Sequence, residues 1–232
     1  MVTRRLEREP GAIWKVVNEA YSSNTYICAT ATPGDCFLVD PGLDVRAIEE
    51  GLAELGFVPR AVLCTHGHFD HAGTASFFQN KYSAPLYLHA DDVKTLKVSN
   101  FLLTAFKRSE RVQIPKPDII AVDGCDVEID GRNVRYHATP GHTPGSCILE
   151  FGDTVFTGDT LFARNVGMSP LPGEDPEMLR RSIRAIWDRF PVETVVLPGH
   201  GRSTSFGSVK QDNRKLLEFM GMATATQGGP RP

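Results

Sequence analysis

Short hydrophobic runs separated by turn-forming residues occupy the first 40 positions of the chain. The runs IWKVVN, NTYICATA and CFLVD have the length and residue types of β-strands. Pro33, Gly34 and Asp35 stand between the last two runs and favour a hairpin. The amino-terminal part is therefore predicted to be a set of adjacent strands.

The pattern then alternates between helix and strand. After a break at Pro41 and Gly42, apolar residues at helical spacing predict a helix, with Asp44 as N-cap and Gly56 at its end. A strand, a helix and a strand are predicted next, at residues 60–64, 74–82 and 85–88. This βαβ order predicts a sheet covered by helices.

Residues 90–121 break this alternation with amphipathic helical stretches, followed by a basic KRSER run and by PKPD. Two interpretations remain open for this helical insert. It is either a lid over a substrate or a helical connection that packs on the sheet.

The β pattern resumes in the second half, with hairpins predicted around Asp130-Gly131 and Gly152-Asp153. A helix, a strand and a last helix are predicted at residues 176–189, 194–197 and 208–219. The end of the chain, residues 224–232, is small, polar and rich in Pro and Gly, which predicts disorder. No linker interrupts residues 1–223, which are predicted to form one domain.

Composition and charge exclude several classes of function. With 41% hydrophobic and 23% charged residues, the chain has the composition of an ordinary globular protein. Its net charge of -3 gives no reason to expect nucleic-acid binding. Its apolar runs are far shorter than the roughly 20 residues that cross a membrane, and no signal peptide is evident. Five widely spaced cysteines are expected to be free thiols. A cytoplasmic location is therefore expected, and the oligomeric state stays open.

The segment HGHFDH contains three histidines and an aspartate within six positions: His66, His68, Asp70 and His71. Imidazole and carboxylate groups are ligands for zinc, iron and related ions. On an extended backbone the first two histidines point to one side, and the next two side chains can turn toward a second ion. The cluster predicts a metal centre.

Three further segments each combine an apolar strand with a glycine-containing turn and one potential ligand. They carry His142, Asp159 and His200. Loops at strand ends on one edge of a sheet can converge on a site. His89 and His137 lie outside such loops and are not expected to be ligands.

Five segments in this order resemble the metallo-β-lactamase superfamily, and within it the glyoxalase II-like hydrolases. The segments are VDPG (39–42), THGHFDH (65–71), TPGHTPGS (139–146), FTGDTLF (156–162) and LPGHG (197–201). The resemblance covers residues 24–219. It implies an α/β fold, the αββα sandwich, in which two mixed sheets pack together between helices and the metal loops lie along one edge.

The resemblance also implies two divalent metal ions, with zinc expected first and iron or manganese as alternatives. The expected ligands are His66, His68 and His142 for one ion, Asp70, His71 and His200 for the other, and Asp159 as the bridge. A hydroxide held between two such ions can attack a carbonyl carbon, with Asp70 orienting it. The implied activity is hydrolysis of a small-molecule acyl thioester. The bridging aspartate disfavours antibiotic hydrolysis, because true β-lactamases do not use one there.

The segment after GDTLF departs from the glyoxalase II-like pattern. Those relatives usually carry a cation that helps to hold glutathione, and here Met168 follows Gly167 at that place. The 32 residues after His200 are also too few for the helical domain that completes the glutathione site in larger relatives. Arg164, Lys210 and Arg214 are candidate replacements for the missing cation.

Two other activities fit the same residues. A persulfide dioxygenase would use His66, His142 and Asp159 as a facial triad for one iron. A lactonase would use the hydroxide to open a cyclic ester in an apolar pocket. A metal-binding module without activity is disfavoured by the complete ligand set.

Overall fold

The computed structural model describes residues 6–169 and 171–222. The elements within these ranges form two β-sheets, and each sheet carries helices on its outer face. The segment predicted to be disordered, residues 224–232, lies outside the described residues.

The first sheet has seven strands that follow one another in chain order from edge to edge. They are Leu6–Glu9 (β1), Ile13–Val17 (β2), Asn24–Ala29 (β3), Asp35–Val39 (β4), Val58–Leu63 (β5), Leu86–His89 (β6) and Ile119–Ala121 (β7). The strands β1 to β4 are antiparallel neighbours, whereas β4 to β7 run parallel. The carboxyl ends of β4 and β5 therefore lie at the same edge.

The second sheet has six strands, with β13 at one edge and β8 at the other. They are Asp126–Ile129 (β8), Arg132–Ala138 (β9), Cys147–Phe151 (β10), Thr154–Gly158 (β11), Val195–Pro198 (β12) and Thr204–Ser205 (β13). Only the pair β11 and β12 is parallel among these described strands. Their carboxyl ends also share one edge.

Eight helices accompany these strands in the described part of the chain. They are Val45–Leu55 (α1), Phe69–Ala72 (α2), Ala75–Tyr82 (α3), Asp92–Lys97 (α4), Ser99–Ala105 (α5), Pro176–Ile186 (α6), Phe206–Asp212 (α7) and Arg214–Phe219 (α8). The predicted ends of α1 are confirmed, because Asp44 accepts a hydrogen bond from the Ala47 N–H and Gly56 adopts a left-handed φ of 67°. None of the helices described is long and apolar enough to cross a membrane.

The alternation of side chains along the strands divides the core into three layers. In β4, Phe37 points between the two sheets, while Leu38 points toward the helices of the first sheet. In β10, Leu149 points between the sheets and Ile148 toward the helices of the second. This period of two builds an apolar layer between the sheets and one under each helical layer. The predicted αββα sandwich is confirmed.

Three predicted helices differ in extent, and the first of them, predicted at residues 176–189, ends at Ile186. In the segment 90–121, helices occupy only Asp92–Lys97 and Ser99–Ala105, and the segment ends as strand β7 rather than as a helix. The last helix, predicted as one, is divided into α7 and α8 at Asn213. The buried side chain of Asn213 accepts a hydrogen bond from the Leu216 N–H, which caps α8, and donates to the carbonyls of Phe162 and Asn165. These side-chain hydrogen bonds interrupt the helix at Asn213.

Candidate metal centre

All seven predicted ligands follow strands whose ends meet at one edge of the sandwich. The loop after β5 carries His66 and His68 and leads into the short helix α2, which carries Asp70 and His71. In the second sheet the ligands His142, Asp159 and His200 follow β9, β11 and β12. The structure brings these seven side chains together between the two sheets.

One cluster consists of His66, His68 and His142. The Nδ1 atom of His68 lies 3.0 Å from Nε2 of His142, and the ring centres of His66 and His142 are 5.0 Å apart. One ligand atom from each of the three side chains lies within 4.8 Å of the others. Three nitrogen donors at this spacing can share one cation.

A second cluster consists of Asp70, His71 and His200. The Nε2 atoms of the two histidines are 3.2 Å apart, and Oδ2 of Asp70 lies 3.6 Å from the first and 3.4 Å from the second. Their ligand atoms also lie within 4.8 Å of one another. Asn24 holds the His200 loop by donating to the carbonyls of Pro198 and Gly201, 2.9 Å each.

The carboxylate of Asp159 lies between the two clusters. Its Oδ2 atom is 3.5 Å from Nε2 of His142 and 3.5 Å from Nε2 of His200, while Oδ1 lies 3.5 Å from Nε2 of His71. The side chain therefore contacts members of both groups, as a bridging ligand would.

Hydrogen bonds behind the clusters select which ring nitrogen faces inward. The Thr65 hydroxyl donates its proton to Asp40 Oδ2 at 2.6 Å. Its oxygen therefore accepts a hydrogen bond from Nδ1 of His66, which lies 3.0 Å away. The same Asp40 oxygen lies 3.2 Å from Nδ1 of His71 and accepts its N–H. Both histidines are thus held with a proton on Nδ1 and a free lone pair on Nε2.

A similar arrangement holds His142. Its Nδ1 lies 3.0 Å from the carbonyl oxygen of Gly167 and 3.3 Å from a carboxylate oxygen of Glu174. Both are acceptors, so Nδ1 donates and Nε2 faces the cluster. Glu174 is itself fixed by Ser169, whose hydroxyl donates to it.

Burial and charge set the protonation of these groups. Burial lowers the pKa of His68 to about 4. Burial would also lower the pKa of His200, but hydrogen bonds to Asp159 and Asp70 raise it to about 11. Burial would raise the pKa of Asp159, yet the neighbouring His71 and His200 hold it well below its usual value. Asp159 is therefore ionised at neutral pH and attracts positive charge into the site.

Two buried atoms in the centre lack partners among the described residues. Nε2 of His66 and Oδ1 of Asp159 are buried and accept no hydrogen bond there. Buried polar atoms are normally satisfied, and both atoms are metal-binding types with lone pairs directed at the clusters. The residues present therefore fit a pair of divalent cations.

A carboxylate outside the predicted set joins the two ligand loops. Asp92, fully buried at the start of α4, accepts hydrogen bonds from the N–H groups of Gly67 and Gly145 and from the Thr143 hydroxyl. These contacts fix the loop before His68 to the loop after His142. A β-carbon on Gly67 would strike the backbone of Asp92, so that position requires glycine.

Sequence reasoning missed four residues that hold the ligands. Asp40 was visible within VDPG, and Thr65 within THGHFDH, but neither was given a role. Asp92 and Glu174 left no signal, because their contacts with the ligand loops exist only in the folded chain. The two histidines that were not expected to be ligands lie elsewhere: His89 ends β6, and His137 pairs with Glu150 at 2.7 Å.

A cavity of about 540 Å³ opens beside the centre. Met168 lines this cavity, and so does Arg164, one of the three candidate replacements for the missing cation. Lys210 instead pairs with Asp188, and neither it nor Arg214 is part of the cavity lining.

Part of the segment 90–121 contacts the short helix α2. The ring of Phe106 lies 6.4 Å from that of Phe69, the first residue of α2. Leu96 and Leu103, in contrast, are buried in the layer under the first sheet's helices. These contacts agree with a helical connection that packs on the sheet, and the lid stays a prediction.

Comparison with known proteins identifies the family. A family model described as the metallo-beta-lactamase superfamily matches residues 18–200. The probable metallo-hydrolase YqgX of Bacillus subtilis is 33% identical over 186 residues, which cover 79% of this chain and 88% of the relative. This chain therefore belongs to the metallo-β-lactamase superfamily, whose members are mostly hydrolytic enzymes.

Two further proteins are similar to this chain. A hydroxyacylglutathione hydrolase of Anaeromyxobacter dehalogenans is 32% identical over 180 residues, covering 78% of this chain and 62% of that enzyme. The crystal structure of TTHA1623 in a di-iron-bound form matches with a TM-score of 0.77 and 30% identity, covering 86% of this chain and 98% of that one.

Proposed function

We propose that this protein is a glyoxalase II-like hydrolase that cleaves an acyl thioester with two divalent cations. The position of Asp159 carries the proposal, because one carboxylate oxygen lies 3.5 Å from a histidine of each cluster. A carboxylate shared in this way fits a pair of cations. The similarity to a hydroxyacylglutathione hydrolase supports a thioester as the bond that is cleaved.

The proposed reaction divides the work between the cations and the side chains. When bound, two such cations lower the pKa of a water molecule and polarise a carbonyl oxygen. The Asp70 carboxylate, directed at the site through Oδ2, accepts a hydrogen bond from the attacking water and orients it toward the carbonyl carbon. Asp40 and Thr65 keep His71 and His66 in the tautomers that binding requires.

The side chains of Cys147 and Ser146, near the site, are poor candidates for a nucleophile that would attack the substrate covalently. Burial raises the pKa of the Cys147 thiol, and the neighbouring Ser146 hydroxyl is occupied with Thr143. A thiol that stays protonated is a weak nucleophile. Activated water is therefore the nucleophile in the proposed mechanism.

The test begins with metal analysis of the purified protein, followed by thiol release from S-lactoylglutathione and a panel of other thioesters. We expect about two ions per chain and hydrolysis that stops on treatment with a chelator. His68→Gln should lose this activity, whereas His89→Gln, a matched change outside the centre, should keep it. Absence of metal-dependent thiol release from every thioester would refute the proposal.

The same measurements identify the alternatives. One iron per chain with oxygen consumption would indicate a persulfide dioxygenase. Cleavage of lactones without cleavage of thioesters would indicate a lactonase.

A further inference from the structure

Three exposed basic side chains from separate parts of the chain line the cavity beside the metal centre. Arg164 lies in the loop after β11, Arg202 follows His200 by two positions, and Lys215 lies in α8. The same cavity is lined by His142, Asp159 and His200. Cationic side chains and candidate metal ligands therefore share one opening.

These cations have no carboxylate partner in the part of the chain that the structure describes. Among residues 6–169 and 171–222, no carboxylate lies within 4 Å of any of the three, and Lys215 donates a hydrogen bond to the neutral side chain of Asn165, at 3.3 Å. Within that part of the chain, Asp159 is the single carboxylate of the lining, and it belongs to the metal centre. A positive cavity thus occurs in a chain whose net charge is -3.

The loop that carries Arg164 is fixed in place. Asn213, itself fully buried, donates to the carbonyls of Phe162 and Asn165, and an isolated β-bridge joins Leu161 to Val166. Holding the backbone of this loop at both ends limits where the exposed Arg164 side chain can reach, which reduces the entropy lost when a ligand binds. Such an arrangement is suited to recognition of a charged group.

The cavity also has an apolar wall. Phe162, Val166 and Met168 are among the residues that line it. A substrate that fits must therefore combine an apolar stretch with a negatively charged end.

On these observations, which rest on the proposed thioesterase function, we infer that the substrate's thiol portion carries an anionic group, a carboxylate or a phosphate. Arg164, Arg202 and Lys215 bind that group, and the thioester carbonyl lies at Asp159 and His200. The three residues determine specificity and take no part in bond cleavage. A cation at position 168 is then unnecessary, because its place is taken by charges from other elements.

Three acetyl thioesters with the same acyl group separate the sources of negative charge. S-acetylglutathione supplies carboxylates, acetyl-coenzyme A supplies phosphates, and S-acetyl-N-acetylcysteamine is neutral. We expect the metal-loaded enzyme to have a kcat/KM at least about tenfold higher for one of the anionic substrates than for the neutral one. Raising the salt concentration should reduce this preference, because exposed charges are screened.

Substitutions that remove the charges of the three basic side chains provide a second test. Each of Arg164→Gln, Arg202→Gln and Lys215→Met should raise KM for the anionic substrate about two- to fivefold with little change in kcat. The triple variant should lose the preference, and the neutral substrate should be hydrolysed at the same rate within about twofold. Lys210→Met is the matched control, because Lys210 pairs with Asp188 away from the cavity. Equal losses for neutral and anionic substrates would overturn the inference.

Binding without chemistry separates this inference from the proposed function. The thioethers S-methylglutathione and S-methyl-coenzyme A cannot be hydrolysed, and their affinity is measured by calorimetry on the metal-loaded protein. If no thioester is cleaved but the triple variant loses thioether binding, the reaction is refuted and the anion site stands. If neither thioether binds more tightly than the neutral S-methyl-N-acetylcysteamine, the anion site is refuted, whatever the activity.

Discussion

The Oδ2 atom of Asp40 lies 3.2 Å from Nδ1 of His71, and the same carboxylate accepts both the backbone N–H and the hydroxyl of Thr65. Asp40 has a left-handed φ of 51°, which places its side chain at the turn after β4. One residue thus holds a histidine of each cluster, directly for His71 and through Thr65 for His66.

Replacement of Asp40 should weaken metal binding without removing a ligand. Asp40→Asn keeps the size and tolerates the left-handed backbone, but its amide group presents a donor where an acceptor is needed. We expect the affinity for the metal to fall about 10- to 100-fold, measured by competition with a chelator. Asp44→Ala is the control: it removes the N-cap of α1 and costs about 1 kcal/mol of stability, with metal affinity unchanged. An unchanged affinity in Asp40→Asn would contradict this role.

Asp159→Asn should change the number of bound ions. The amide has no charge to offset two cations and only one oxygen to offer them. We expect the metal content to fall from about two ions to one or fewer per chain, and hydrolysis to fall at least about 100-fold. Elemental analysis and a thiol-release assay measure the two effects. Asp153→Asn, at the turn between β10 and β11, should alter neither; two ions in Asp159→Asn would show that the carboxylate is not a bridge.

Loss of Asp92 should destabilise the protein even when no metal is bound. In the unchanged protein, the carboxylate of Asp92 accepts hydrogen bonds from the N–H groups of Gly67 and Gly145. Asp92→Asn replaces one of these acceptor oxygens with an amide donor. Leaving such buried donors unpaired costs about 1–3 kcal/mol each. Urea denaturation of the chelator-treated protein should show a loss of at least about 2 kcal/mol in the free energy of unfolding. The neighbouring, exposed Asp91→Asn should cost less than about 0.5 kcal/mol; equal stability of the two variants would refute the role.

Gly199→Ala should disrupt the centre through volume alone. A β-carbon at this position would meet Oδ1 of Asp159 and, at 2.6 Å, Cε1 of His71. Both groups must move for the methyl group to fit, and both are buried among the other candidate ligands. We expect metal content and activity to fall together while circular dichroism stays unchanged. Gly152→Asn, at a distant turn with open space around it, should behave as the unchanged protein; full metal content in Gly199→Ala would contradict the tight packing.

The strands and the ligand positions could be predicted because their signals are local. Most candidate ligands lie in a glycine-containing turn just after an apolar strand, and Asp70 and His71 lie in the short helix that follows such a turn, so sequence spacing alone places them near a strand end. The αββα arrangement could be predicted only from the family resemblance. Alternation within a strand shows that one face is buried, but it does not show which sheet or helix packs on that face. Whether these side chains bind metal stays a prediction.

The positions that the sequence did not reveal depend on contacts between distant segments. Asp92 follows Gly67 by 25 positions, and Asn213 follows Phe162 by 51. No periodicity records such pairs. Asn213 also explains the divided last helix, because its side chain satisfies two loop carbonyls instead of continuing the helical pattern. The strands β7 and β13, with three and two residues, are too short to show alternation.

Each of the two clusters draws ligands from both sheets of the sandwich. His66, His68, Asp70 and His71 belong to the first sheet's loops, and His142 and His200 to those of the second. A cation held in either cluster would therefore act as a cross-link between the two halves of the fold, as a disulfide does between distant cysteines. Unlike a disulfide, this link exists only while the two sheets are packed, so unfolding releases the ion and the free energy of binding adds to the free energy of unfolding. The sandwich would then owe part of its resistance to heat to the ions that its chemistry requires.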